Sequence, residues 1–141
     1  MNAVNSTQVR KNWSQAVDDV IREKPIFVKR TRDCFCMIND DMLLQLLSNC
    51  NYTAEEYVED DGSITLSLNE IDLVENAETI EEAKTALGKA ILEYADEYYG
   101  DLQYWSTAPN RKAHMPYVFK AIILNDAKKI GECIKCQVGE S

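Results

Sequence analysis

Residues 6–30, STQVRKNWSQAVDDVIREKPIFVKR, decide the fold of the first part of this 141-residue chain. Apolar residues recur there at spacings of three and four, which predicts one amphipathic helix. Its expected buried stripe consists of Val9, Trp13, Ala16, Val17, Val20 and Ile21. Ser6 or Thr7 should cap the start of the helix. Pro25 ends it, because the residue before a proline avoids helical backbone angles, and residues 26–28 then predict a strand.

The residues around this stretch complete a small module. A short extended segment precedes the helix, and a tight turn at residues 31–33 leads into a second strand, residues 34–38. Asn39 or Asp40 should cap a second helix. Its expected buried side chains are Met42, Leu43, Leu46 and Leu47. The order over residues 1–51 is therefore β-α-β-β-α, and a module of this size is expected to dimerise.

Charge is distributed unevenly along the chain, which has 15 Lys or Arg and 24 Asp or Glu. Residues 1–38 hold seven of the basic and four of the acidic residues, a net charge of +3, and the remainder therefore carries −12. This asymmetry predicts two surfaces with different partners. The basic surface would tolerate a polyanion, and the acidic one would repel it.

Arg10 and Lys11 fall in the expected first turn of the first helix. Cations there oppose the helix dipole, at a cost of a few tenths to about 1 kcal/mol. A bound phosphate would explain them, because the free N–H groups of a helix start bind anions. An ordinary solvated first turn is the alternative. Lys29, Arg30 and Arg32 on the hairpin extend the same basic surface.

The second half begins with an acidic segment, residues 52–61, which is interpreted as a linker to a C-terminal module, residues 62–141. Residues 63–68 alternate apolar and polar, as a half-buried strand does. Thr79 should cap a helix that Gly100 ends. The expected buried stripe of that helix is Ala83, Ala86, Leu87, Ala90, Ile91, Tyr94, Ala95 and Tyr98. The predicted class is α+β, with a small α/β C-terminal module.

Catalytic motifs are scarce. An irregular stretch is expected from Trp105, and Pro116 should open a last helix. Between them His114, the only histidine, is expected to be solvated, with no nucleophile at a recognisable spacing. No glycine-rich phosphate loop is present. The sequence thus predicts neither an enzyme nor a cofactor. An enzyme would need a pocket around His114, Trp105 and Tyr104.

The chain has five cysteines, an odd number, and no secretory signal is recognised, which predicts reduced thiols and a cytoplasmic protein. No apolar run is long enough to predict a membrane span. Cys34 and Cys36 with Cys133 and Cys136 could supply four thiolates to zinc. The favoured alternative makes the first pair small apolar residues on one strand face and leaves the second pair near a frayed C-terminus. We therefore predict no metal site.

The order of elements over residues 1–50 resembles the N-terminal domain of Phd/YefM-type antitoxins of type II toxin-antitoxin systems. The matching residues are Ser6-Thr7-x-x-Arg10-x-Asn12, Asp18/Asp19, Val20 and Pro25-Ile26-Phe27-Val28-Lys29-Arg30. The resemblance implies an intertwined homodimer that binds a palindromic operator upstream of its own operon, with a toxin protein as second partner. It also implies that Arg10 and Arg30 contact DNA. Lys11, Asn12, Lys29 and Arg32 extend this candidate site on charge and position.

Residues 61–95 are similar to the strand-then-helix signature of HicB-like antitoxin domains. This similarity implies that the acidic module faces the toxin or forms higher homo-oligomers, and carboxylates there could meet a basic toxin. The predicted function is an antitoxin that neutralises a toxin protein and represses its own operon as a DNA-binding dimer. The alternative is a protein-interaction dimer or a solitary transcriptional regulator without a toxin.

Overall fold

The computed structural model describes residues 3–139, and the chain divides into two compact units, Met1–Leu46 and Leu47–Ser141. Each unit contains its own sheet and its own helices. The predicted α+β class is confirmed.

Unit 1 contains a three-stranded sheet in which β1 is parallel to β2 and β2 is antiparallel to β3. Its elements are β1 (Val4–Asn5), α1 (Ser6–Lys11), α2 (Trp13–Arg22), β2 (Ile26–Arg30), β3 (Asp33–Met37) and α3 (Asp40–Leu46). The predicted first helix is thus two helices, and the observed order is β-α-α-β-β-α.

The break between α1 and α2 lies at Asn12, whose backbone has φ −116° and ψ 42°. Its backbone N–H and its side-chain Nδ2 both donate to the Gln8 carbonyl, at 3.0 and 3.2 Å. Because the helix does not continue, the predicted apolar stripe is not continuous either. Val9 and Ala16 are buried, but Trp13, expected in the core, is 55% exposed.

Asparagine side chains cap the N-termini of α1 and α3. Asn5, rather than Ser6 or Thr7, caps α1, because its Oδ1 accepts from the Thr7 N–H at 2.7 Å. Asn39 caps α3 as predicted, accepting from the Met42 N–H at 2.8 Å. Leu46, expected on the buried side of α3, is instead exposed.

Unit 2 contains a four-stranded sheet of order β6-β5-β4-β7, in which only the β4–β7 pair is parallel. Its strands are β4 (Thr53–Val58), β5 (Ile64–Leu68), β6 (Val74–Ala77) and β7 (Lys135–Val138). Its helices are α4 (Ile80–Gly100), α5 (Leu102–Thr107), a 3-10 turn (Lys112–His114), α6 (Met115–Leu124) and α7 (Ala127–Cys133).

Helix α4 is the centre of the unit 2 core. Thr79 caps it as predicted, with its hydroxyl accepting from the Glu82 N–H at 3.2 Å. Its buried side chains Leu87 and Ile91 belong to the same core as Leu66 of the central strand β5. The predicted stripe is largely confirmed, since Ala83, Ala95 and Tyr98 are also buried.

Three expectations for this half of the chain are wrong. Residues 52–61 are not a linker, because β4 lies within them, with Tyr52 and Ala54 fully buried and strands on both sides. The irregular stretch does not begin at Trp105, because α5 continues to Thr107 and the turns follow only at residues 108–111. The region of Cys133 and Cys136 does not fray, because α7 and β7 fold there and β7 pairs with β4.

Candidate nucleic-acid interface

Arg10 and Arg30 lie together on the surface of unit 1. Arg10 is near the end of α1 and Arg30 is the last residue of β2, and both line one depression of about 270 Å³. The other lining residues are Ser6, Thr7 and Phe35. Arg30 Nη2 is 3.8 Å from Asp33 Oδ2 in a solvent-exposed ion pair, which holds the arginine only weakly. Both guanidinium groups are therefore accessible to an anion.

The position of Arg10 and Lys11 within the helix differs from the expectation. They occupy the last turn of α1, not the first, because Asn5 starts the helix and Asn12 ends it after six residues. The dipole favours cations at this end. Contrary to the expectation, Arg10 and Lys11 therefore do not oppose the helix dipole, and the structural basis of the site is the proximity of Arg10 to Arg30.

The structure does not bring all six candidate residues to one place. Lys29 pairs with Cys34 and Arg30 pairs with Asp33, so strand alternation places Lys29 on the opposite face of the sheet from Arg30. Arg32 lies in the β2–β3 turn. Lys11 lies about 100° around the helix axis from Arg10. The side-chain amide of Asn12 donates a hydrogen bond to the Gln8 carbonyl of α1.

A second, apolar depression of about 410 Å³ adjoins the first, since Ser6, Arg10 and Phe35 line both. Its other lining residues are Val9, Trp13 and Met37. Phe35 is 50% exposed and Trp13 is 55% exposed. Apolar patches of this kind mark interaction sites. Sequence periodicity missed this patch, because nothing in the spacing shows that the helix breaks before Trp13.

Comparison with protein families shows the family of the chain. A Phd-like family model, described as antitoxin of toxin-antitoxin, RelE/RelB, TA system, matches residues 1–136. The chain belongs to this antitoxin family. No curated protein matches it significantly.

The antitoxin is also similar to a crystal structure from Syntrophomonas wolfei subsp. wolfei, described as "an antitoxin part of a putative toxin/antitoxin system". The two are 34% identical, with a TM-score of 0.91, over 99% of this chain and all of the other. The predicted resemblance to a toxin-antitoxin family is confirmed, and the Phd/YefM type is compatible with it.

His114 of the antitoxin is buried, not solvated as expected. The 3-10 turn carries it to Tyr94 of α4, where the histidine Nδ1 and the tyrosine Oη are 2.6 Å apart. Burial lowers the pKa of His114, the Arg111 charge lowers it further, and Asp72 acts in the opposite sense. Trp105, which an enzyme pocket around His114 would need, stacks on Tyr98 of α4, with ring centroids 6.4 Å apart.

All five cysteines of the antitoxin are free thiols. Cys34 and Cys36 share a strand face as predicted, but both are exposed. Among residues 3–139, no group of three or more His, Cys, Asp or Glu side chains is arranged to hold a metal ion. In the same part of the chain, none of the helices combines the length and the apolar character needed to span a bilayer.

Proposed function

We propose that this antitoxin binds operator DNA as a homodimer through unit 1 and binds its toxin through unit 2, in the cytoplasm. It would thereby neutralise the toxin and repress its own operon. The observation that carries the DNA part of the proposal is the shared depression of Arg10 and Arg30.

The chemistry of that depression suits a DNA backbone. A guanidinium group can bind a phosphate, or the O6 and N7 atoms of a guanine, through two parallel hydrogen bonds. Hydroxyl groups such as those of Ser6 and Thr7 commonly donate to phosphate oxygens. The net charge of +3 on residues 1–38 adds sequence-independent attraction, whereas the −12 on the remainder would repel DNA.

Dimerisation is supported by the small core of unit 1. Its buried cluster consists of Val9, Ala16 and Val28, with Ile26 and Met37 packed against them. So small a core is marginal for an independent fold, and a second copy that covers Trp13 and Phe35 would enlarge it. A two-fold dimer would also present two copies of the Arg10–Arg30 site to a palindromic operator.

The test is a gel shift with the duplex immediately upstream of the antitoxin gene. We expect Arg10→Ala and Arg30→Ala each to weaken binding about tenfold or more, since a good bidentate contact contributes about 1–3 kcal/mol. Arg22→Ala is the matched control, because Arg22 lies in unit 1 outside the depression and forms only an exposed ion pair with Asp18. Wild-type binding by both variants, or no shift by the wild type even at low salt, would overturn the DNA part.

A further inference from the structure

A chain of aromatic rings runs from the core of unit 2 to its surface. Tyr98 in α4 is fully buried, and the ring of Trp105 stacks on it at 6.4 Å with an interplanar angle of 21°. The Tyr104 ring meets Trp105 edge-on at 5.1 Å and is itself 62% exposed. These contacts fix α5 against the end of α4, so the exposed ring of Tyr104 is supported by ordered neighbours.

A second exposed tyrosine lies at the same end of the unit. Tyr99 is in the last turn of α4, directly after Tyr98, and is 60% exposed. The Arg111 guanidinium lies over the Trp105 ring, 5.7 Å from its centroid, and adds a cation–π contact to that ring. We call Tyr99, Tyr104 and Trp105 the tyrosine patch. Rigid, half-exposed aromatic side chains are typical anchors of protein interfaces.

Apart from Arg111, which lies against Trp105, the charged residues nearest to Tyr99 in the chain are acidic. Asp96 and Glu97 precede Tyr99, Asp101 follows it, and all three are exposed. They lie in the part of the chain that carries the net charge of −12. Tyrosine rings pack against the flat guanidinium of arginine, and carboxylates attract cationic surfaces. The patch therefore suits a basic protein surface.

We propose that the tyrosine patch is the surface through which this antitoxin binds its toxin, and that the toxin meets it with basic side chains. This inference rests on the proposed function. Tyr99 and Tyr104 would supply most of the affinity by packing against arginine or lysine stems. Asp96, Glu97 and Asp101 would mainly accelerate association.

The test uses the full-length antitoxin and the purified protein encoded by the adjacent gene of its operon. We expect Tyr99→Ala and Tyr104→Ala each to raise the Kd at least tenfold in calorimetric titrations. The control is Val74→Ala, because Val74 is 60% exposed on β6 of the same unit and lies outside the patch. Circular dichroism checks that each variant folds.

Charge variants test the same surface independently. The double variant Asp96→Asn/Glu97→Gln should lower the association rate two- to tenfold at low salt and less at high salt. Glu59→Gln/Asp60→Asn removes the same charge from an exposed turn elsewhere in unit 2 and should leave the rate unchanged.

The outcomes separate this inference from the proposed function. If the wild type binds the neighbouring protein and the tyrosine variants bind it equally well, the patch is not the toxin surface, although the proposed function stands. If the wild type does not bind at all, both are contradicted. If the tyrosine variants bind the neighbouring protein normally but the antitoxin alone has a lower mass in light scattering, a second copy of this chain occupies the patch. That result overturns the inference.

Discussion

Asn12 determines how the candidate DNA site is built. Its backbone angles, φ −116° and ψ 42°, leave the helical region and end α1 directly after Lys11, and its side-chain Nδ2 donates to the Gln8 carbonyl of the last turn. Arg10 therefore lies at the end of the helix where the dipole favours a cation. From that position it shares a depression with Arg30, which follows it by twenty residues in the sequence.

The stability of unit 2 is expected to depend on pH through His114. Burial first, and then Arg111, lower the pKa of this histidine in the folded protein, so it is expected to be neutral there. In the unfolded chain its pKa is about 6.5. The unfolded state therefore binds the proton more readily, and the contribution is complete above pH 6.5 and is lost as the pH falls below that value.

The measurement is the free energy of unfolding in urea at pH 7.5 and at pH 5.5. The wild type should lose more stability between the two pH values than His114→Gln does, because the variant cannot titrate at this position. Equal losses in the two proteins would show that the histidine is not held neutral by its surroundings.

The packing of α4 against α7 depends on two glycines. A Cβ atom on Gly88 would clash with the Ala127 carbonyl of α7, and one on Gly131 would lie 2.6 Å from the Lys84 carbonyl of α4. The two helix backbones therefore touch directly, with no room for a side chain at either position.

We expect Gly88→Ala to lower the free energy of unfolding by about 1–3 kcal/mol, since overpacking of a core costs that much. Gly100→Ala is the matched control, because the added Cβ meets nothing within 4 Å and the last residue of α4 gains helix propensity. Urea denaturation compares the two. A Gly88→Ala protein as stable as the wild type would contradict the close contact of these helices.

Elements with a strong local pattern were predictable from the sequence, and elements defined by distant contacts were not. The alternation of Ile64, Leu66 and Leu68 identified β5, and the cap at Thr79 identified the start of α4. Strand β4 was missed because the adjacent carboxylates at residues 55 and 56 interrupt the apolar pattern that would indicate a strand. The parallel pairing of β7 with β4 joins residues about eighty positions apart, and no local pattern indicates it.

Charge is separated along the chain between residues 1–38 and the remainder, and the sequence shows this directly. The separation predicted two surfaces with different partners, and the family model extends across both, to residue 136. The grouping of Arg10 with Arg30 followed from the resemblance, and the structure places them together. The opposite placement of Lys29 follows from strand alternation, a signal that was available in the sequence.

The salt dependence of operator binding tests the central claim most directly. Fluorescence anisotropy would give the Kd of the upstream duplex over a range of salt concentrations for the wild type and for Arg10→Ala/Arg30→Ala. If the arginines bind phosphates, the slope of log K against log salt should become shallower by about 2 for the double variant, because each contact contributes about 0.9. An unchanged Kd with an unchanged slope would contradict the account.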